Sequence, residues 1–307
     1  MAQTILIFNR FAHKGKLRHS LDEVQQCLQN SEIETDVAFT KYPGHAIELV
    51  EKMVEDGYKK IIVVGGDGTV NEAINGLVKA QQKGYGSACL GVIPNGRGND
   101  FGFSMKIPSD LQSAVDVIKA DHHILIDIGS AGDGTFERFF CNGSGFGVDA
   151  AINHHAAVSK LNGFPSYLWG LLKAIFLDIR QPMAKISWDE GNFEMPILLL
   201  AAMNGMREGG GFKLAPKFKI DDGKLDVCIV GNNQPISRLL PLIPRLIQGK
   251  LDHPDIITLK TGKLQVKIEG KGLYSQVDGE TIFSSGTSFN VSICPWKVDL
   301  IAGLGTH

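Results

Sequence analysis

Asp67 stands between two glycines in the run at 61–77, IIVVGGDGTVNEAINGL. An apolar, β-branched segment ends at Gly65, Gly66 and Gly68 flank the carboxylate, and Thr69, Asn71 and Glu72 open a helical pattern. Glycines at such a turn let the main chain approach a ligand closely. The free N–H groups that open a helix form an anion site. Strand, glycine turn and helix in that order suit a phosphate chain. The run is not a Walker loop, because G-x-x-x-x-G-K-[ST] is absent, and it is not G-x-G-x-x-G. The carboxylate is the odd part. It repels phosphate unless a metal or a reacting hydroxyl stands between them, which points Asp67 at Mg²⁺ or at the reacting group.

The run at 92–102, VIPNGRGNDFG, repeats the design: a strand ends at Pro94, Gly96, Arg97 and Gly98 form the loop, and Asn99 and Asp100 follow. Two such loops at the C-terminal ends of adjacent parallel strands face one crevice, where open α/β sheets bind ligands. The chain also carries its own control. AGDGTF at 131–136 has the letters Gly-Asp-Gly-Thr again, but it lies between two strand-like runs and no helix follows, so it reads as a hairpin turn.

Two further acidic segments could do chemistry. VDGE at 277–280 places Gly279 before Glu280, which suits close approach to a ligand or a plain turn. KIDDGKLDV at 219–227 clusters Asp221, Asp222 and Asp226. Oxygen ligands at that spacing suit Mg²⁺ or Ca²⁺, and a solvated turn is the other reading; the later ligands of an EF-hand are missing. His122-His123 and His154-His155 read as surface residues. Neighbours on a helix point about 100° apart and rarely share one ion.

The elements that must position these residues alternate at first. TILIFN is a strand; LRHSLDEVQQCLQN is a helix with Ser20 as N-cap and Glu23 at capping-box spacing. TDVAFT, KKIIVVGG and ACLGVIP are strands; HAIELVEKMVEDG, TVNEAINGLVKA and DLQSAVDVIKA are helices. That rhythm implies a parallel sheet covered on both faces. After about Asp127 the rhythm changes to short strands and turns, from HILIDIGSA and ERFFCNGSG through SFNVSICP, with one or two helices between Asn153 and Ile179. The expected division is 1–127 for an α/β domain, joined by the tail 296–307, and 128–295 for a β-rich domain.

The totals bound the function. A chain of 307 residues, 43% hydrophobic, has room for two domains and a substantial core. A formal net charge of -2 gives no basic footprint for nucleic acid. The five cysteines are dispersed without a C-x-x-C pair and read as buried free thiols of a reducing compartment. The N-terminus lacks a signal-peptide pattern. The longest apolar stretch, at 164–179, is interrupted by Lys173 and too short to span a bilayer. A cytoplasmic protein is expected, with a peripheral place at the inner membrane face. That stretch and ISRLLPLIPRLIQGKL read as core, or as surfaces that meet lipid.

GGDGTVNE, PNGRGNDF, EGGGFKLAPKFKIDDGKLDV and VDGE, in this order, resemble the diacylglycerol kinase catalytic-domain family, most closely its soluble bacterial lipid kinases. Sphingosine and ceramide kinases belong to it, and NAD kinases share its nucleotide fold. The resemblance covers nearly the whole chain. It implies an NAD-kinase-like α/β nucleotide domain with a parallel sheet, a C-terminal β-sandwich domain, and ATP and Mg²⁺ as cofactors. The partner would be a lipid substrate at a membrane surface, with diacylglycerol as the acceptor. Carried over by position, Asn9 to Lys14 (Arg10 included), Thr40, Gly65, Gly66, Asp67, Gly68, Thr69, Asn71 and Glu72 meet the nucleotide, as do Gly96, Arg97, Asn99 and Asp100. Glu280 takes the proton of the attacking hydroxyl, with Asp67 as the rival base. Asp222, with carbonyl oxygens near Lys219 and Lys224, holds a structural Mg²⁺.

The chain departs from the pattern where Arg10 replaces the usual Pro and Arg97 the usual Thr or Ser. A sphingoid-base or NAD kinase, or a binding protein with a decayed site, are the alternative readings. Whether the chain forms a homodimer is open from the sequence.

Overall fold

The structure, a computed structural model, describes residues 3–12, 17–157, 159, 164–177, 181–231, 233 and 235–303. The chain divides into two compact units: one runs to Asp127 and resumes at Pro295, and the other is Ile128–Cys294.

In the first unit β1 (Thr4–Phe8), α1 (Leu21–Asn30), β2 (Asp36–Phe39), α2 (His45–Glu55), β3 (Lys60–Gly65), α3 (Asp67–Gln82), β4 (Cys89–Pro94), α4 (Asp100–Ser104) and α5 (Leu111–Ala120) follow one another. The strands pair in parallel in the order β2-β1-β3-β4, with Ile61 opposite Ile5 on one side and Leu90 on the other. β3 and β4 are buried almost throughout because helices cover both faces, so they read as unbroken apolar runs rather than alternating ones. α1 starts where its sequence says: Ser20 Oγ accepts from Glu23 N, and the Glu23 carboxylate accepts from Ser20 N at 2.7 Å. α3 begins at Asp67, two residues earlier than the sequence pattern suggests. Gly66, with an extended backbone, is its N-cap, and Asp67 lies in its first turn, where the helix dipole favours a negative charge.

The second unit holds the second half of β5 (His123–Gly132), then β6 (Glu137–Phe140), β7 (Gly143–Gly147), α6 (Val148–Ala157), α7 (Phe164–Leu177), β8 (Met183–Trp188) and β9 (Gly191–Met203). They are followed by β10 (Leu225–Gly231), α8 (Ile236–Leu239), α9 (Leu242–Gln248), β11 (Ile256–Thr261), β12 (Lys263–Ile268), β13 (Leu273–Val277), β14 (Glu280–Gly286) and the first half of β15 (Ser288–Ile301). The end of β15 belongs to the first unit, where Leu300 pairs in parallel with Leu90. The long β9 shares its length between two sheets: 191–196 pairs with β8, and 197–203 with β7 and β10. The result is a sandwich. Leu200 and Ala202 of β9 point into the core that also holds Phe146, Val227, Val266 and Phe289. Leu199, Ala201 and Met203 point the other way, onto a cluster with Val148 and Ala151 of α6 and Leu242 and Leu246 of α9. The period-two alternation of a strand thus serves two apolar layers at once.

The segment ERFFCNGSG, expected as one strand, is two: β6 ends at Phe140 and β7 begins at Gly143. The amides between them leave the ladder to bond a distant side chain, described below. β11, β14 and the helices α8 and α9 are elements that the sequence reading did not separate.

Candidate active site

The C-terminal ends of the parallel strands carry the first set of residues. Asn9 follows β1; its Nδ2 donates to Thr69 Oγ1 at 2.8 Å and its Oδ1 accepts from Phe11 N. Thr40 follows β2, is buried, and bonds through its amide to Phe8 O. The loop after β3 and the loop after β4 lie in van der Waals contact. A Cβ added to Gly96 would stand 2.4 Å from Gly66 Cα, so only glycine allows this approach. Asn95 N donates to Gly65 O at 2.7 Å across the same seam.

Two carboxylates converge there. A Cβ built on Gly98 would lie 3.1 Å from Asp67 Oδ2 and 3.5 Å from Asp100 Oδ2. Asp67 Oδ1 accepts from Phe101 N at 3.0 Å, which fixes its side chain against the second loop. Converging carboxylate oxygens beside the N-terminus of α3 fit a hard divalent cation, which mutual repulsion would otherwise oppose.

Several of the expected nucleotide contacts are instead occupied with the fold. Glu72 is buried, and both of its oxygens cap α2: Oε1 accepts from Gly44 N at 2.7 Å and Oε2 from Ala46 N at 3.1 Å. Gly44 has no side chain to cap that helix, so Glu72 does it from α3. Asn71 is buried and accepts from Asn75 Nδ2. Asn99, in the left-handed region at φ 52°, closes its own loop, with Oδ1 accepting from Gly96 N and Nδ2 donating to Gly96 O. The guanidinium of Arg10 lies over the ring of Phe39, 3.7 Å from its centroid. His13 to Lys16, and with them Lys14, lie outside the described residues.

Asn95 was not singled out from the sequence. It is fully buried; its Oδ1 accepts from Arg18 N and His19 N, and its Nδ2 donates to His19 O, so it latches the segment before α1 to the loop. No local pattern announces this role, because its partners stand 76 and 77 residues away.

The second unit gathers the other motifs. Val277 pairs with Glu280 across a two-residue turn in which Asp278 (φ 45°) and Gly279 (φ 84°) are both left-handed, the type I′ geometry that Asp-Gly favours. Asp278 is a structural anchor. Its oxygens accept from the amides of Cys141 (2.9 Å), Asn142 (3.0 Å) and Gly143 (2.8 Å). This is what interrupts the ladder between β6 and β7. Gln276 accepts from Gly279 N and donates to Glu208, tying EGGGF to the VDGE hairpin. Glu280 itself is half-exposed at the head of β14, and Arg138 Nη2 holds its Oε2 at 2.8 Å.

At the third acidic segment, Asp222 Oδ1 accepts from Lys224 N, and Lys260 Nζ lies 3.1 Å from Asp222 and 3.2 Å from Asp226. Burial pushes the Asp226 carboxyl up, and Lys260 offsets part of that. An oxygen-only set of Asp222 with the main chain of Lys219 and Lys224 fits a hard cation, which would share Asp222 with the ammonium of Lys260. His123 is not a bare surface residue: its Nδ1 meets Asp299 at 2.9 Å. The side chain of His154 lies outside the described residues. All five cysteines are free and buried.

Comparison with known proteins agrees with this two-part architecture. Residues 3–131 match the diacylglycerol kinase catalytic domain, and residues 144–302 match the YegS C-terminal NAD kinase beta sandwich-like domain. A diacylglycerol kinase of Staphylococcus saprophyticus is 31% identical over 288 residues, which cover 90% of this chain and 88% of that one. One from Staphylococcus aureus is 30% identical over 288 residues, 90% of this chain and 85% of its own. The crystal structure of a diacylglycerol kinase from Bacillus anthracis superposes with a TM-score of 0.74 at 22% identity, over 99% of this chain and 98% of that one. An NAD kinase from Archaeoglobus fulgidus in complex with ATP shares the fold, with a TM-score of 0.51 at 9% identity over 99% of this chain and 95% of that one. Among the described residues no helix is long and apolar enough to cross a membrane. With its glycine-loop pair, its sandwich and its relatives in agreement, the chain belongs to the diacylglycerol kinase catalytic-domain family of YegS-like lipid kinases, phosphotransferases related in fold to the NAD kinases.

Proposed function

We propose that the protein is an ATP- and Mg²⁺-dependent kinase of a lipid hydroxyl, with diacylglycerol as acceptor and phosphatidic acid as product. The convergence of Asp67 and Asp100 on Gly98, at the N-terminus of α3, carries this reading. Amides of the Gly66–Gly68 turn donate to the phosphate chain, while Asn9 and Thr69 hold that turn in place. Magnesium bound by the two carboxylates would neutralise charge on the phosphates. The acceptor hydroxyl gives its proton to Glu280 and its oxygen bonds to the γ-phosphorus. The bond from that phosphorus to the bridging oxygen breaks, and ADP leaves. Arg138 and the Asp278 anchor hold the Glu280 carboxylate at the hairpin. Asp222 with Lys219 and Lys224 is a separate cation site in this reading and steadies its turn. The lipid is supported by the relatives named above and by Leu168, Trp169 and Leu172, which α7 leaves exposed as an apolar face that suits contact with lipid.

The test is transfer of label from γ-labelled ATP with Mg²⁺ to a panel of lipids in mixed micelles, with NAD as a further acceptor. Label in phosphatidic acid is expected. Label in another lipid or in NADP would keep the chemistry and replace the acceptor. ATP binding without label anywhere would leave a binding protein. Glu280→Ala is expected to lower transfer at least about 10³-fold with the fold intact. Near-normal activity in that variant would remove Glu280 and leave Asp67 as the base.

A further inference from the structure

We propose that the acceptor lipid lays an acyl chain along the seam between β6 and β14, against the ring of Phe136, and that Phe136 sets the preference for chain length. The inference rests on the lipid-kinase reading, with Glu280 at the acceptor hydroxyl, and adds to it the surface that takes the apolar part of the acceptor.

β6 and β14 are edge strands. Among the described residues β6 pairs only with β5 and β14 only with β13, so the outer edge of each carries no further strand. Side chains join the two edges instead. Arg138 of β6 bonds Glu280 at the head of β14, and Phe136, one residue before β6, meets Phe283 edge to face with ring centroids 6.0 Å apart. The seam therefore has a polar end at the Glu280 carboxylate and an aromatic end two residues further along the chain, about 7 Å away. The aromatic end leads into the core. Phe283 stands 6.2 Å from Phe289, and Phe289 stands 4.4 Å from Phe146. Phe146 and Phe289 are fully buried, Phe283 is half-buried and Phe136 is 42% exposed, so exposure rises ring by ring toward the surface. Edges are commonly guarded by charge or by a covering segment. An aromatic left open there gains free energy when an apolar group covers it. The two ends of the seam name that group. Arg138 and Glu280 offset each other's charge, which suits an uncharged hydroxyl compound better than an anionic one. In diacylglycerol an acyl chain starts a few atoms from the free hydroxyl. With the hydroxyl at Glu280, such a chain reaches Phe136 within its first few carbons.

The experiment measures transfer from ATP with Mg²⁺, by the full chain, to diacylglycerols with acyl chains of four, six and eight carbons, each below its micelle concentration, with NAD as a further acceptor. Wild type, Phe136→Ser, Phe136→Gln and Phe136→Leu are compared, with a melting curve for each. In wild type kcat/KM is expected to rise about two- to fourfold for each methylene that the seam covers. Phe136→Ser and Phe136→Gln are expected to lower kcat/KM for the eight-carbon acceptor about 10-fold. They leave the four-carbon acceptor and the KM for ATP within about twofold of wild type, so the series flattens. Phe136→Leu is expected to recover part of the loss. A polar variant that folds and keeps the wild-type series would overturn the seam and leave the kinase reading intact. An equal loss for all three acceptors would do the same, because it marks a ring that only supports the sandwich. If neither polar variant folds, an unchanged series in Phe136→Leu would overturn the role of the ring. If wild type labels another lipid, the same chain lengths of that lipid are used. Label in NAD alone, or in no acceptor, would overturn both the seam and the lipid reading.

Discussion

The residues at 66–69 and at 132–135 spell the same four letters, Gly-Asp-Gly-Thr, and fold into different structures. In the first, the aspartate opens a helix of 16 residues. In the second it turns a hairpin between β5 and β6, with Gly132 paired to Glu137. The partners explain the difference. Asp133 Oδ1 bonds only near itself: it accepts from Thr135 N at 2.8 Å, from the Thr135 hydroxyl and from Phe136 N. Asp67 accepts from Phe101, and Thr69 accepts from Asn9, 34 and 60 residues away. A carboxylate that spends itself on its own turn is finished as chemistry. One held against a second loop by a distant amide, beside a neighbouring carboxylate, is placed for a ligand.

The comparison breaks most sharply at the aspartates. Asp67→Asn keeps an acceptor for Phe101 N and removes the charge. Phosphoryl transfer is expected to fall about 10³-fold, roughly 4 kcal/mol in the barrier. Asp133→Asn is expected to stay within about twofold of wild type. Steady-state transfer assays with far-UV circular dichroism decide it, and equal effects at the two sites would end the distinction.

The glycines come next. Gly96→Ala drives a Cβ to 2.4 Å from Gly66 Cα, backbone against backbone, so the loops must part. A stability loss of about 2–3 kcal/mol, together with lost ATP binding, is expected from urea melts and titration. Gly134→Ala meets nothing within 4 Å and suffers only from its φ of +97°. That costs about 1–2 kcal/mol and no activity.

The smallest effect concerns pH. The amides of Thr135 and Phe136 hold the Asp133 carboxyl below its ordinary value of 3.8. The folded state therefore binds that proton less readily than the unfolded one, and the stabilisation is present above the unfolded value. The stability difference between wild type and Asp133→Asn should be full above about pH 4. It should close as pH falls through the lower, folded value. Melts from pH 6 downward read this, and a gap that persists at the acid end would show that the charge has no part in it.

Much of this was legible in the sequence. The parallel strands of the first unit announced themselves as β-branched runs, and Ser20 with Glu23 announced α1 through a contact three residues long. The context of the two Gly-Asp-Gly-Thr runs separated helix from hairpin before any coordinate. Less legible was what each motif residue is used for. Glu72 looked like a ligand residue and caps α2; Asp278, in a motif noted for Glu280, anchors three amides of the segment at 141–143. Asn95 drew no attention and latches the chain before α1. The split of ERFFCNGSG into β6 and β7 follows from Asp278, 135 or more residues further on.

The order and type of the elements, and the places where glycine turns could meet an anion, are written in short stretches of the chain. Those depend on backbone preference and on the apolar period, which act over a few residues. Which polar side chains are taken by the fold depends instead on contacts between distant segments. A hydrogen bond satisfies a buried group wherever its partner comes from, and for Glu72 and Asp278 the partners lie 26 to 137 residues away.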